Sequence, residues 1–207
     1  KNVTFSPQNI GGGNYPVINF NKSFIRSPHH SKYNFNSDDN FAISFFVSSS
    51  EIPDNNLKKY LISKSTTKKA IITPNITYPT NTTGSSQIVD VNSEPQYPFE
   101  IYYQSQSIHF NRFDGTTISS LSTIATSSNT NMLHVVCQKS ESNLELYING
   151  DKLATSTDNT TLTQNTADLF IGNKGGVSGK NFYTGSIAQI MIFDDNLSQT
   201  QINNLSQ

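Results

Sequence analysis

Residues 144–156 read LELYINGDKLATS, and this stretch decides the fold class. Leu144, Leu146 and Ile148 alternate with other residues at the period of two that places apolar side chains on one face of a strand. Asn149-Gly150 follows, and this pair readily adopts the positive φ angles of a type I′ turn. The sequence therefore predicts a β-hairpin, with the chain returning through residues 152–156.

Strand-like segments similar to this hairpin follow one another through most of the chain. Runs rich in glycine, proline, asparagine and aspartate separate them, and these residues are typical of turns. The predicted strands are Val3–Phe5, Val17–Phe20, Phe41–Ser48, Tyr60–Ser63, Ile71–Thr73, Phe99–Gln104, Ser107–Phe113, Leu133–Lys139, Leu144–Asn149, Lys152–Thr155, Leu169–Gly172 and Gly185–Phe193. Many short strands at this spacing predict an all-β protein, a two-sheet antiparallel β-sandwich (jelly roll), rather than a βαβ sheet.

Apolar residues in phase with the alternation are the expected core of the sandwich. They are Phe41, Ile43, Phe45, Val47, Leu133, Val135, Cys137, Leu144, Leu146, Ile148, Ile187 and Ile190. Cys137 is the only cysteine, which excludes an internal disulfide, and we expect a buried, inert thiol there rather than a nucleophile.

A short C-terminal helix and one long excursion complete the predicted architecture. Ser198 is a suitable N-cap, and Leu197, Ile202 and Leu205 fall roughly on one face of the helix that follows. The stretch 64–98 holds four prolines and the polar run TNTTGSS, which is typical of a surface loop, a binding loop or an inserted hairpin. With no internal repeat, residues 1–207 are interpreted as a single domain that carries this long loop or insertion.

Composition and charge exclude several classes of partner. The net charge is −1, and charged residues are 14% of the chain, against about 25% in ordinary soluble domains. There is no basic patch of the kind that binds nucleic acid, and no apolar run of the roughly 18 residues that a membrane span needs. The sequence starts at Lys1 without a signal peptide, so we expect a fragment of a longer protein or a processed product.

Seven motifs, taken in order, resemble one family. They are FAISFFV (41–47), YLISK (60–64), FEIYY (99–103), MLHVVC (132–137), LELYING (144–150), LFIG (169–172) and FYTGSIAQI (182–190) with the LS pair that follows it. Together they resemble the laminin-G-like and concanavalin A-like lectin/glucanase jelly rolls over roughly Phe41 to Leu205. The resemblance implies a sandwich that presents its loops to sugars or proteins.

The resemblance is incomplete at some family positions. The chain has no tryptophan, and Phe46 and Met132 stand where the family has it. Ala188-Gln189 replace an acidic position that, in many relatives, helps to hold a structural calcium ion. Asp38 and Asp39 could still supply carboxylate ligands for calcium, or they form a solvated turn. The expected cofactor is therefore none, or a structural calcium ion.

The sequence lacks the residues that catalysis would need. Glycoside hydrolases of related fold carry two carboxylates in an E-x-D-x-x-E arrangement on one strand, and no such triplet occurs here. There is also no nucleophile with a base and no phosphate-binding glycine motif. His29-His30 are interpreted as a loop pair, His109 as a strand-surface residue and His134 as a partly buried structural imidazole. We therefore expect a protein that is not an enzyme.

Two functions remain for a non-catalytic module of this kind. The first is recognition of a carbohydrate or a receptor, which the resemblance implies and with which the hydroxyl, amide and aromatic side chains are compatible. The candidate ligand contacts, expected near the loop rim, are Tyr78, Tyr97, Tyr103, Arg112 and Asp114. The alternative is a structural decoration or fibre domain whose partners are neighbouring subunits of an assembly. Both imply an extracellular, cell-surface or virion-surface location, without nucleic acid or membrane insertion.

Overall fold

The computed structural model describes residues 3–10, 13–49, 56–65, 96–125, 132–175 and 181–207. Within these ranges the chain forms thirteen β-strands, one 3-10 turn (Ser31–Tyr33) and one α-helix, α1 (Gln199–Leu205). The strands are β1 (Thr4–Ile10), β2 (Gly13–Asn21), β3 (Ile25–Ser27), β4 (Phe41–Ser49), β5 (Lys59–Ser63), β6 (Tyr97–Gln104), β7 (Ser107–Phe113), β8 (Ile118–Ile124), β9 (Leu133–Ser140), β10 (Asn143–Ile148), β11 (Asp151–Thr157), β12 (Leu169–Ile171) and β13 (Thr184–Phe193).

The described strands form two antiparallel sheets, which confirms the predicted fold class. The seven-stranded sheet has the order β1-β2-β13-β4-β9-β10-β11, and the six-stranded sheet has the order β3-β12-β5-β6-β7-β8. β3 and β8 were not predicted from the sequence. The predicted strand Ile71–Thr73 and most of the long excursion lie outside the described residues.

The predicted hairpin is formed by β10 and β11. Asn149 and Gly150 both have positive φ, 52° and 91°, as a type I′ turn requires. A Cβ on Gly150 would lie 3.0 Å from Asn203 Oδ1, so the approach of α1 also favours glycine here. Leu146 is fully buried and pairs with Cys137 of β9, which places the hairpin's apolar face against the opposite sheet.

The facing apolar sides of the two sheets form one large core cluster. Of the predicted core residues, all are buried in it except Leu133 and Ile190, which are partly buried and pack against it. Cys137 lies inside this core, and burial raises the pKa of its thiol far above its usual value. His134 is also buried, with Nε2 2.9 Å from Ser44 Oγ, and burial lowers its pKa to about 4. The imidazole is therefore neutral at physiological pH.

Helix α1 covers the outer face of the seven-stranded sheet. Ser198 caps it as predicted: its Oγ accepts from Gln201 N, and Gln201 Oε1 accepts from Ser198 N at 2.8 Å. Ile202 is fully buried in a second apolar cluster with Ala42 and Val136. The described part of the chain contains no helix with the length and hydropathy for crossing a membrane.

Candidate functional site

One end of the sandwich carries a polar cavity of about 460 Å³, called the end pocket below. Its lining residues are Ser31, Lys32, Asn34, Phe35, Asp38, Asp39, Asn40, Asp194 and Asp195. Most of them belong to the segment between β3 and β4, and the last two directly follow β13. Hydroxyl, amide, carboxylate and ammonium groups therefore converge on a single concave surface.

Strand pairing explains why two separate acidic pairs meet at this pocket. β4 and β13 are antiparallel neighbours, and Ala42 near the start of β4 pairs with Phe193 at the end of β13. Residues just before β4 therefore lie beside residues just after β13. Asp38-Asp39 and Asp194-Asp195 occupy these two positions.

Local hydrogen bonds shape the segment between β3 and β4. His30 is the N-cap of the 3-10 turn, and its Nδ1 accepts from Lys32 N at 3.2 Å. Asp39 Oδ2 accepts from Asn36 N at 2.7 Å, while Asp39 N donates to Asn36 O. These contacts fix the lining of the pocket without regular secondary structure.

Arg112 supports this segment from inside the sandwich. Its Nη2 donates to Asn36 O at 3.0 Å and to Phe35 O at 3.3 Å. Its Nε lies 3.0 Å from Asp158 Oδ2, with both side chains essentially inaccessible. Burial lowers the pKa of Arg112 to about 10, while Asp158 and Asp39 act in the opposite direction. Arg112 therefore remains charged at neutral pH and hydrogen-bonds the backbone of the pocket lining from inside the sandwich.

A segment without regular secondary structure, residues 158–168 between β11 and β12, closes this end of the sandwich and is called the strap below. Asp114 Oδ2 accepts from Thr161 N of the strap at 3.0 Å, while its Oδ1 accepts from Thr117 N, between β7 and β8, at 2.6 Å. Desolvation opposes ionisation of Asp114, but these backbone donors outweigh it and hold the pKa well below its usual range. Thr163 Oγ1 donates to Phe35 O, so the strap also contacts the lining of the end pocket.

The predicted calcium ligands lie at the pocket but do not form a metal cage. In the ranges that the structure describes, no three His, Cys, Asp or Glu side chains come together as a metal site would require. Asp39 is engaged by a backbone amide, and Asp38 Oδ1 accepts from Ser37 Oγ at 3.3 Å. Calcium binding by Asp38 and Asp39 stays a prediction, and the function proposed below uses no metal.

The predicted ligand contacts are only partly brought together. Arg112 and Asp114 lie at the same end of the sandwich as the pocket, but the expected exposure of Arg112 at a loop rim is wrong because it is fully buried. The same correction applies to Tyr97 and Tyr103, each 2% exposed, since both side chains pack inside the protein. Tyr103 stacks on Tyr183 with ring centroids 6.3 Å apart. Tyr78 lies outside the described residues.

Sequence reasoning missed seven residues that line the pocket. They are Ser31, Lys32, Asn34, Phe35, Asn40, Asp194 and Asp195. A signal for the last pair was present, because an acidic pair at the end of one strand and another at the start of its antiparallel neighbour must lie close together. Reading it required the strand order, which the sequence alone does not provide.

The protein is an antiparallel β-sandwich with a loop-lined pocket at one end. The pattern of the concanavalin A-like lectin/glucanases superfamily matches residues 77–203, more than half of the chain. The chain belongs to this superfamily. A sequence comparison with curated proteins gives no match.

Solved structures with the same fold include binding domains of clostridial toxins. The binding domain of Paraclostridial Mosquitocidal Protein 1 superposes with a TM-score of 0.67 at 16% identity, covering 99% of this chain and 47% of that chain. The binding domain of botulinum neurotoxin DC in complex with rat synaptotagmin II gives 0.60 at 14% identity, with 99% and 44% covered. The serotype D ligand-binding domain in complex with N-acetylneuraminic acid gives 0.58 at 14% identity, also with 99% and 44% covered. The chain therefore spans less than half of each of these solved chains.

Proposed function

We propose that the chain is a non-catalytic binding module and that the end pocket holds a carbohydrate. The pocket carries this proposal, because its volume of about 460 Å³ falls within the roughly 300–1,000 Å³ typical of small-molecule sites. Its serine, asparagine and aspartate side chains offer both donors and acceptors for sugar hydroxyls. Membership of a lectin-containing superfamily and the likeness to toxin binding domains support the same function.

The charge of the pocket favours neutral sugars over acidic ones. Four aspartates face a single lysine, Lys32. A carboxylate-bearing sugar such as the N-acetylneuraminic acid of the serotype D complex would meet like charges at short range, which costs several kcal/mol at about 4 Å and an effective dielectric constant of about 20. Neutral oligosaccharides avoid this repulsion and keep the hydrogen bonds.

A glycan array followed by calorimetric titration of the best neutral ligand tests the proposal. Asp194→Ala removes an acceptor from the pocket and is expected to weaken binding by at least tenfold, since a hydrogen bond to a charged group contributes about 1.5–3 kcal/mol. Asp151→Ala is the matched control, because Asp151 pairs with Ile148 at the opposite end of the strands. The proposal fails if no neutral glycan gives a saturable signal, or if Asp194→Ala binds as tightly as the control.

A protein partner is the second candidate, favoured by an apolar groove on the β1–β2 hairpin. The groove measures about 300 Å³ and is lined by Phe5, Ser6, Pro7, Asn14, Tyr15 and Pro16. Phe5 is 68% exposed, which is unusual for so large an apolar side chain. A receptor or an assembly subunit would bury it. We further propose that the module acts outside the cell or on a cell or particle surface. Phe5→Ser would abolish binding of a protein partner while leaving glycan binding unchanged.

A further inference from the structure

The ammonium group of Lys64 is buried beside the strap and uses all of its donors. Its Nζ lies 2.8 Å from Ala167 O, 3.0 Å from His29 Nδ1 and 3.1 Å from Asn165 Oδ1. Lys64 itself has no exposed surface. Burial lowers its pKa to about 8, with Asp168 acting in the opposite direction, so the amine is still charged at neutral pH. A charged amine has three protons, and these three acceptors take them, with Asn165 O at 3.5 Å as a longer additional contact.

His29 can contact Lys64 only as a neutral imidazole. An ammonium group has donors alone, so Nδ1 of His29 must be the unprotonated acceptor. A protonated imidazole carries a hydrogen on both nitrogens, which would place two donors and two positive charges 3.0 Å apart. His29 is exposed, so protons reach it from solvent.

The other charged groups described around His29 do not remove this repulsion between its protonated form and Lys64. Asp168 Oδ1 accepts from His29 N at 2.9 Å, and its Oδ2 is paired with Arg26 Nε. Asp168 attracts an imidazolium, but it shares its charge with Arg26, whereas Lys64 meets the ring nitrogen directly. His30 is the adjacent titratable residue in the chain, and its Nδ1 caps the 3-10 turn.

Two hydrogen-bonded steps connect Lys64 to the end pocket. Asn165 is the intermediate: its Oδ1 accepts from Lys64 Nζ, and its Nδ2 returns a bond to Lys64 O at 2.8 Å. The backbone of Asn165 also forms two hydrogen bonds with the side chain of Asn34. Asn165 N donates to Asn34 Oδ1 at 3.2 Å, and Asn165 O accepts from Asn34 Nδ2 at 2.7 Å. Asn34 lines the end pocket. The position of the strap therefore sets the position of a lining side chain.

We propose that His29 and Lys64 form a pH-dependent latch that holds the strap and, through Asn34, the ligand-binding shape of the end pocket. Protonation of His29 breaks its contact with Lys64, loosens the strap and weakens ligand binding. The effect on ligand binding rests on the function proposed above, whereas the effect on the strap does not. We expect the latch to open on acidification, and comparing about pH 8 with about pH 5 spans the range in which an ordinary histidine changes charge.

Hydrogen exchange of the strap amides tests the latch without any ligand. The backbone N–H groups of Thr163, Asn165 and Ala167 are the probes, because each donates to a side chain at this end of the sandwich. Their protection factors, which correct for the intrinsic rate at each pH, are expected to fall about tenfold on acidification in the wild-type protein. His29→Gln keeps an oxygen acceptor for Lys64 but does not titrate, so its protection is expected to stay constant.

His30→Asn is the matched control, because asparagine preserves the N-cap and removes the neighbouring titratable ring. It is expected to respond to pH as the wild type does. Constant strap protection in the wild type, or an equal fall in His29→Gln, would overturn the latch.

Calorimetric titration of the best neutral ligand from the glycan array, at about pH 8 and about pH 5, tests the coupling to the pocket. Its affinity is expected to fall on acidification in the wild type and to hold in His29→Gln. If the strap loosens and no glycan binds at any pH, the proposed function fails and the latch stands. If the strap loosens while glycan affinity stays constant, the connection through Asn34 is refuted.

Discussion

The stability that the buried ion pair between Arg112 and Asp158 contributes beneath the end pocket can be measured. Arg112 Nε lies 3.0 Å from Asp158 Oδ2, and the two side chains are 0% and 1% exposed. Asp158 Oδ1 also accepts from Thr160 Oγ1 at 2.7 Å. Removing either partner leaves a charge in the interior that water cannot solvate.

The expected magnitude follows from this burial. Breaking a buried ion pair by removing one partner costs about 3–5 kcal/mol, whereas an exposed pair contributes about 0–1 kcal/mol. Asp158→Asn and Arg112→Met are each expected to lower the free energy of unfolding by the larger amount. Arg112→Lys keeps the charge but loses the planar fork that binds Phe35 O and Asn36 O, so we expect an intermediate loss.

Urea unfolding of the two single variants and the double variant provides the assay. The double variant is expected to lose less than the sum of the singles, with a coupling of about 0.5–3 kcal/mol. An unchanged slope with denaturant concentration would show that the loss belongs to the folded state. Single losses below about 1 kcal/mol, or strictly additive losses, would refute the claim that the pair is desolvated and mutually compensating.

Three other side chains give independent tests. Leu146→Ala, at a fully buried position, is expected to lower the free energy of unfolding by about 2–5 kcal/mol in urea. Leu153→Ala, at a half-exposed position in the same hairpin, should change it by less than about 0.5 kcal/mol. Equal losses would contradict the register of the hairpin. Ser198→Ala removes the helix cap and is expected to cost about 1 kcal/mol in thermal unfolding, while Ser198→Asp should restore it. Burial lowers the pKa of Lys64 from 10.5 to about 8, so the unfolded chain binds more protons between these values and stability rises with pH across that window. Lys64→Met should lack this rise, and identical pH profiles for the two proteins would count against the burial of the charged amine.

The fold could be predicted in detail where local and tertiary demands agree. The Asn149-Gly150 turn fixes the register of its hairpin, and alternation then determines which side chains enter the core. β8 was missed because its sequence, ISSLSTI, does not follow that rule. Ile118 and Ile124 are exposed at its two ends, while Ser119 is buried, so the apolar pattern runs against the true phase.

Two of the misplaced site residues could have been recognised by the phase of their strands. Arg112 shares one parity with Ile108 and Phe110, which are fully buried in β7. Tyr103 likewise shares one parity with Ile101 of β6, which faces the core. A charged or hydroxylated side chain was interpreted as exposed because of its chemistry, although its position in the strand indicated the interior. The compensating partner of Arg112, Asp158, lies far away in the sequence and could not be inferred locally.

The end pocket itself could not be predicted from local pattern, because its residues meet only through the order of the strands. Asp194 and Asp195 approach Asp38 and Asp39 because β13 lies beside β4, a neighbour relation between distant parts of the chain. The strap adds a second non-local step, since it reaches the pocket through Asn34 and Asn165. Neither step can be predicted from periodicity or composition without the strand order.

The contacts that stabilise the sandwich also differ from those that shape the end pocket. Apolar side chains such as Leu146 join the two sheets. Removing Leu146 raises the free energy of the native state, and it raises by the same amount the free energy of a state in which only the strap is open. Leu146→Ala therefore lowers global stability and leaves the free energy of opening the strap unchanged. Beyond the buried ion pair that Asp158 makes with Arg112, the strap is held by hydrogen bonds, which contribute about 0.5–1.5 kcal/mol net between neutral groups and about 1.5–3 kcal/mol to a charged group. A binding site built on such contacts can change shape at small energetic cost while the sandwich stays folded.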